Sequence, residues 1–257
     1  MMKRDTFLAT LLGLSCLVAW EGYVRLAHTS PLVLPAPSVI GQSLWQGLHN
    51  GYLWPHIVHT LTEVVLGLCL GAFLGFVGGI LLGESARWRG VLMPFVVISQ
   101  VVPKLALAPL FIVWFGFGTL PTVVMTALIC FFPLLENTVT CMQHINANQL
   151  ELFRMLRASR WQTLWRLKIP AGLAHIMAGF RVAVVLAWVG AVVGEFIGAS
   201  RGLGALIIAA QGSMDTPLMF AVLTLITVLG LTFYKLCDML EQHWLNSSSD
   251  TSTRTTS

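Results

Sequence analysis

Long apolar runs alternate with short polar breaks along the chain: Phe7–Ala27, Ile57–Gly83, Val91–Phe115, Thr119–Cys141, Ala171–Ile197 and Pro217–Glu241. Each approaches or exceeds the roughly 20 residues a helix needs to cross a bilayer. The pattern predicts an all-α integral membrane protein with six transmembrane helices. One break is long, wet and basic. The stretch from Glu151 to Pro170 holds five of the fifteen Lys and Arg. Within it the apolar residues recur at helical spacing, first Leu152, Met155 and Leu156, then Trp161, Leu164 and Trp165. Opposite them lie Glu151, Arg154 and Arg157, then Arg160, Thr163 and Arg166. Asn148–Glu151 and Ser159–Gln162 each have the form of a capping box. The pattern predicts two short amphipathic helices meeting at Ala158 and Ser159, with Pro170 where the next span begins.

Three further patterns refine the spans. Gly67, Gly71, Gly75, Gly79 and Gly83 recur at every fourth position of the second run. They form one stripe that lets a second helix approach closely in lipid, in the same subunit or another. Pro94, Pro103 and Pro109 break the third run, with Lys104 between them, so that span is predicted to be irregular and to border protein or a water-filled cavity. The Pro-containing segment before the second run is predicted to carry a short helix near Val39–Leu48. The Ser/Thr-rich end, Asn246–Ser257, is predicted to be disordered.

Composition agrees with a membrane chain: 56% of residues are hydrophobic and 10% charged. The net charge of +4 does not indicate nucleic acid, because of where the charges sit. Leu26–Ala86 contains no Lys or Arg, and Lys3, Arg4, Arg87, Arg89, the 154–168 cluster and Lys235 fall on one side of a six-span chain. By the positive-inside rule that side is cytoplasmic, and both termini with it. The start resembles a signal peptide but has no small-x-small cleavage site, and is read as a retained first span. Five Cys lie in or at the ends of spans without a C-x-x-C pair, as buried apolar residues and not a metal or disulfide set. No G-x-x-x-x-G-K-[ST] loop is present, so no ATP site or other cofactor is expected. No internal repeat of the kind built into two-fold carriers is apparent.

Glu63, Glu136, Arg181 and Glu195 lie in or near spans, where charges are expensive and face a cavity or each other. Lys104, Arg181 and Glu195 are candidates for lining a solute path, and an intramembrane pair that orders the bundle is the structural alternative. Gly198–Gly202 matches the G-x-S-x-G of hydrolases, which raises an intramembrane serine protease. Ser200, however, falls on the outer side. His175 and His243 fall on the inner side, across about 30 Å of hydrocarbon. From the residues alone, the 151–170 loop suits either adsorption to anionic lipid or docking into a partner's groove.

The loop resembles the Glu-Ala-Ala loop of ABC importer permeases, which runs Glu-Ala-Ala, three residues, Gly, nine residues, Ile-x-Leu-Pro. Glu151 and Pro170 have the family's separation, and Leu167-Lys168-Ile169-Pro170 matches the ending. Leu152 and Phe153 replace the two alanines. Arg157 stands at the glycine of the turn, where a left-handed conformation costs any other residue more. Pro103–Gly118, Ala178–Ala183 and Gly194–Gly204 are similar to the nitrate/sulfonate/taurine type, so the likeness covers most of residues 57–241. It implies a MetI-like, type-1 bundle in a bacterial inner membrane, with residues 1–56 as a first span and outer loop, 57–241 as the domain, the coupling loop at about 142–170 and 242–257 as a tail. It also implies a separate ABC ATPase subunit, a periplasmic or lipid-anchored solute-binding protein and a homodimer in the lipid bilayer. The ATPase contact would be carried by Glu151, Arg154, Arg157, Ala158, Ser159, Arg160 and Pro170. The implied cargo is a nitrate-, sulfonate- or taurine-like anion, or a pyrimidine or vitamin precursor. An ATP-independent channel or carrier is the alternative.

Overall fold

The computed structural model describes the backbone of residues 2–253; side-chain surroundings are described for residues 7–239, apart from residue 9. In chain order the helices are α1 Met2–Leu26, α2 Pro37–His49, α3 Trp54–Glu84, α4 Ala86–Val101 and, after a 3-10 turn at Lys104–Leu107, α5 Ala108–Phe115. There follow α6 Thr119–Gln143, α7 Ala147–Met155, α8 Arg160–Thr163, a π turn at Leu164–Lys168 and α9 Ile169–Ala171. The chain ends with α10 Leu173–Gly198, α11 Leu203–Gly212 and α12 Thr216–Thr253. Among the described residues, four helices are long and apolar enough to cross a bilayer: α3, α6, α10 and the Thr216–Met239 part of α12. The bent pair α4 and Lys104–Phe115 makes a fifth.

Helix α6 is the centre of the bundle, clasped between α3 and α10. The glycine stripe of α3 explains one side. A Cβ on Gly71 would come within 2.5 Å of Cys130 Sγ and 2.7 Å of the Ala127 carbonyl. On Gly79 it would meet Thr138 Cβ at 2.5 Å, on Gly83 Met142 Cβ at 2.6 Å, and on Gly75 the backbone oxygen of Phe131. The stripe's neighbour is therefore α6 of the same chain. The other side carries a second set of close glycines on α10. A Cβ on Gly179 would lie 2.8 Å from the Pro133 carbonyl, one on Gly190 3.0 Å from Thr126 Cα, and one on Gly194 2.8 Å from Thr122 Cγ2. Without a hydrophobic force between helices in lipid, such backbone-close packing supplies the attraction. Val64, Leu68, Cys130, Ala183, Ala187 and Trp188 fill the core between these helices and α12.

The third apolar run differs in detail from its expectation. The chain bends by 83° between α4 and the Lys104–Phe115 segment. Pro103 sits at that bend, while Pro94 lies inside a continuous α4 and Pro109 occupies the first turn of α5. A proline in a first turn gives up no hydrogen bond, because that N–H has no helical partner anyway. At one end of the bundle, α2, α11 and the starts of α3 and α12 pack around Leu53, Ile57, Leu203, Leu206 and Val222. Helix α2 covers the short helix expected near Val39–Leu48, with Pro37 in its first turn. Helix α11 was not expected: ten residues are too few to register as a span. Helix α12 continues to Thr253, through most of the Asn246–Ser257 segment expected to be disordered. Adding residues to an existing helix is cheap even for Ser and Thr. Residues 254–257 lie outside the described residues.

Candidate functional sites: a helical knob and a buried clasp

The basic loop folds as two capped helical pieces, but the first cap is not the expected one. Asn146, not Asn148, precedes α7, and its Oδ1 accepts from the Asn148 amide at 2.9 Å. Glu151 is exposed on this helix. The second capping box forms as expected: the Gln162 amide donates to Ser159 Oγ at 3.2 Å, and the Ser159 amide donates to Gln162 Oε1 at 2.8 Å. Between them the chain turns at Arg157, which takes the left-handed conformation with φ +52°. The Ala158 amide donates to the Phe153 carbonyl at 3.0 Å and the Arg157 amide to the Arg154 carbonyl at 2.9 Å. This is a Schellman ending with arginine where glycine is the usual occupant. The turn of the glycine-bearing loops is thus kept, at a cost of about 1–2 kcal/mol for a side chain in that conformation. Arg157→Gly is expected to recover about 1 kcal/mol of it. Slower hydrogen exchange at the Ala158 amide is the readout, and an unchanged rate would mean the turn is unstrained.

The loop is anchored on one face and bare on the other. Leu164 and Ile169 pack with Leu134, Cys141, Met142 and Ile176 at the end of α6 and α10. Lys168 Nζ donates to Glu84 Oε1 at 2.5 Å, tying the loop to the end of α3. Pro170 sits in the first turns of α9, just past the π turn. A proline has no N–H for the Arg166 carbonyl, and the local widening of the helix accompanies that gap. Gly172 could carry no side chain, since a Cβ there would overlap Cys141 Sγ. By contrast Leu152, Met155 and Leu156 on α7 are 54%, 75% and 69% exposed. Arg154, Arg160 and Lys168 converge with Glu84, Ala158 and Thr163 on a cavity of about 360 Å³.

The three candidate path residues are not brought together. Lys104 is half-buried at the bend, where its Nζ donates to Gln100 Oε1 at 2.8 Å. Arg181 pairs with Asp238 of α12 at 3.3 Å. Glu195 stands fourteen residues further along α10 than Arg181, about 21 Å at the rise of a helix. Its carboxyl is 1% exposed and fastens the start of α11. Thr60 Oγ1 donates to Glu195 Oε1 at 2.6 Å and accepts from the Leu203 amide at 2.8 Å, while the Gly204 amide donates to Glu195 Oε2 at 2.5 Å. Gly202 has φ +122°, and a Cβ there would strike the Glu195 carboxyl. Glu63 is fully buried beside Glu195, and His59 Nε2 approaches its Oε1 at 3.2 Å. Nothing in the chain's periodicity pairs Thr60 with Glu195, 135 residues away. Glu136, by contrast, is exposed on α6. The hydrolase-like turn brings Gly202, not Ser200, to a histidine: His56 Nδ1 lies 2.9 Å from the Gly202 carbonyl.

Apolar helices gathered on a central helix, with a basic helical knob at one end, are the frame of an integral membrane protein. The chain belongs to the family described as binding-protein-dependent transport system inner membrane component, which it matches over residues 67–245. It is accordingly the permease of an ABC importer for a small solute, without an ATPase domain of its own. Such a system works with an ATPase and a binding protein. Among similar proteins, the riboflavin transport system permease protein RibX of Chloroflexus aurantiacus is 38% identical over 88% of this chain and 84% of its own length. The formylaminopyrimidine transport permease protein ThiX of Halalkalibacterium halodurans is 33% identical over 90% and 92%. The putative aliphatic sulfonates transport permease protein SsuC of Bacillus subtilis is 33% identical over 95% and 90%. The fold is similar to that of a chain of the MetNI methionine ABC transporter, solved in inward-facing conformations, with a TM-score of 0.63 at 19% identity, over 74% of this chain and 93% of that one.

Proposed function

We propose that the chain crosses the membrane six times, α1 included, with both termini and the α7–α9 loop on the cytoplasmic side. Lys and Arg at 3–4, 87–89, 154–168 and 235 support that orientation. Two copies form the solute path. Val101, Val113 and Phe117, each about four-fifths exposed around the α4–α5 bend, suit a second copy or lipid. Residues 1–56 serve as a first span and outer loop, and 57–241 as the transport domain. The cargo is a small solute of the kind named for the relatives, either a sulfonate or a heteroaromatic vitamin or pyrimidine precursor. Glu136, exposed on α6, borders the path, because an exposed charge on a spanning helix requires water beside it, and Lys104, half-buried at the bend, borders it as the break in the third span. Arg181 and Glu195 serve the bundle instead, one paired with Asp238 and the other fastening α11.

The loop around 142–170 couples this path to the ATPase. One observation carries this reading: Leu152, Met155 and Leu156 at the end of α7 turn outward, flanked by Glu151 and Arg157, with no cover from the described residues. That face fits an apolar groove with a charged rim. Ala158 and Ser159 shape the turn behind it, and Arg154 and Arg160 face the cavity instead. ATP-driven closure of the ATPase pair presses the two knobs together and rocks the spans outward; hydrolysis resets them. Such coupling requires that ATP favour one of two states. The test is the double variant Glu151→Ala with Arg157→Gly, which removes both charges yet keeps the turn. Membrane insertion and ATP hydrolysis should continue while uptake is lost. Uptake at the parental rate would place the contact elsewhere.

A further inference from the structure

Two cavities adjoin behind the knob, on the side of the loop that faces the end of α3. The first, about 360 Å³, is cationic: Arg154, Arg160 and Lys168 line it. The second, about 470 Å³, shares Glu84 and Arg160 with the first but adds Ser85, Trp161 and Leu164. Both are large beside the roughly 30 Å³ that a water molecule takes in the liquid. Glu84 is the one carboxylate in the first cavity's lining and is engaged by Lys168 at 2.5 Å. Among the described residues neither Arg154 nor Arg160 makes an ion pair. The two guanidiniums therefore give the first cavity two uncompensated positive charges. Guanidinium groups match phosphate oxygens through paired N–H donors. The second cavity opens beside Trp161, which is 68% exposed and meets Trp165 edge-on at 5.4 Å. Exposed tryptophans of this kind sit where headgroups meet hydrocarbon.

A cationic pocket next to a half-apolar one, joined through Arg160, selects an amphipathic anion. We infer that the pair of cavities holds one anionic phospholipid of the cytoplasmic leaflet, its phosphate between Arg154 and Arg160 and its glycerol end against Trp161. The inference rests on the proposed cytoplasmic placement of the loop. It leaves the outward face of α7 to the ATPase. Bound there, the lipid bridges the loop and the end of α3, so the knob's seating depends on the charge of the surrounding leaflet.

The assembled transporter, permease with ATPase in detergent, is titrated with short-chain phosphatidylglycerol while the emission that Trp161→Phe removes is followed. Saturable binding is expected, with phosphatidylcholine of the same chain length without effect. Arg154→Ala with Arg160→Ala should weaken the apparent affinity about thirtyfold, the effect of two basic groups at an anionic surface. The paired lysine variant should keep binding within a few-fold, which separates loss of charge from loss of fold. Equal binding of phosphatidylcholine overturns the inference. So does displacement of the lipid by equimolar inorganic phosphate, which would make the site one for a free anion. If the alanine pair strips the ATPase from the complex, the two arginines meet the ATPase and not lipid. Failure of the coupling role itself shows separately, in the Glu151→Ala and Arg157→Gly variant.

Discussion

Gly75→Leu is expected to leave no folded permease. The Cβ alone would run into the Phe131 carbonyl, and the Leu135 amide nitrogen lies at 3.2 Å. Both obstacles are backbone, so no rotamer change relieves them. Separating α3 from α6 breaks the closest packing in the bundle, and overpacking of this kind costs at least about 1–3 kcal/mol even where side chains can yield. Here the loss should exceed that range. The measurement is the monodisperse fraction recovered in mild detergent. Gly90→Leu is the control, because a Cβ at Gly90 meets nothing within 4 Å. A full-height Gly75→Leu peak would mean that α3 and α6 are not gripped backbone to backbone.

Glu195→Ala is expected to release α11. The substitution removes the acceptor of the Gly204 amide and of Thr60 Oγ1, and leaves Glu63 buried without its neighbour. Each buried partner left unsatisfied costs about 1–3 kcal/mol. These bonds tie the start of α11 to α3 and α10, beside the apolar packing of Leu203 and Leu206. Hydrogen exchange at the Leu203 and Gly204 amides should rise by orders of magnitude, with protease cleavage appearing at the 199–202 turn. Thr60→Val, which removes only the hydroxyl relay, should give a smaller rise at Leu203. Unchanged exchange at both amides in Glu195→Ala would show that apolar packing around Leu203 and Leu206 holds α11 without the clasp.

What could be read from the chain was what repeats within one helix. The apolar runs, the every-fourth glycines and the Ser159 capping box are local patterns, and each appears in the fold. The break in the third run was legible because proline acts locally. Which of three prolines would bend the chain was not, since Pro94 and Pro109 sit where a helix tolerates them. The Asn148 cap failed because Asn146 offers the same chemistry two residues earlier. The bonds that Glu195 makes at the start of α11 were not legible, because its partners, Thr60 and the α11 amides, come from segments whose meeting has no signature in the sequence. Glu63 and Glu195 were visible as costly charges, but not as neighbours. At Arg157 the family pattern was the better guide to the backbone than the residue itself. The turn that glycine favours is present, with the strain borne by an exposed arginine.

The grip on α6 has a mechanical side. Where the glycines of α3 and α10 meet α6, the helices touch through carbonyls and the first atoms of short side chains: the Ala127, Phe131 and Pro133 carbonyls and the β-carbons of Thr138 and Met142 face them. Such a joint leaves little room for one helix to slide on another. The end of α3 is tied through Glu84 to the loop, and its start through Thr60 to α11. The three helices therefore form one closely packed unit, some thirty residues long on its α3 edge. The 83° elbow at Pro103 lies outside that unit.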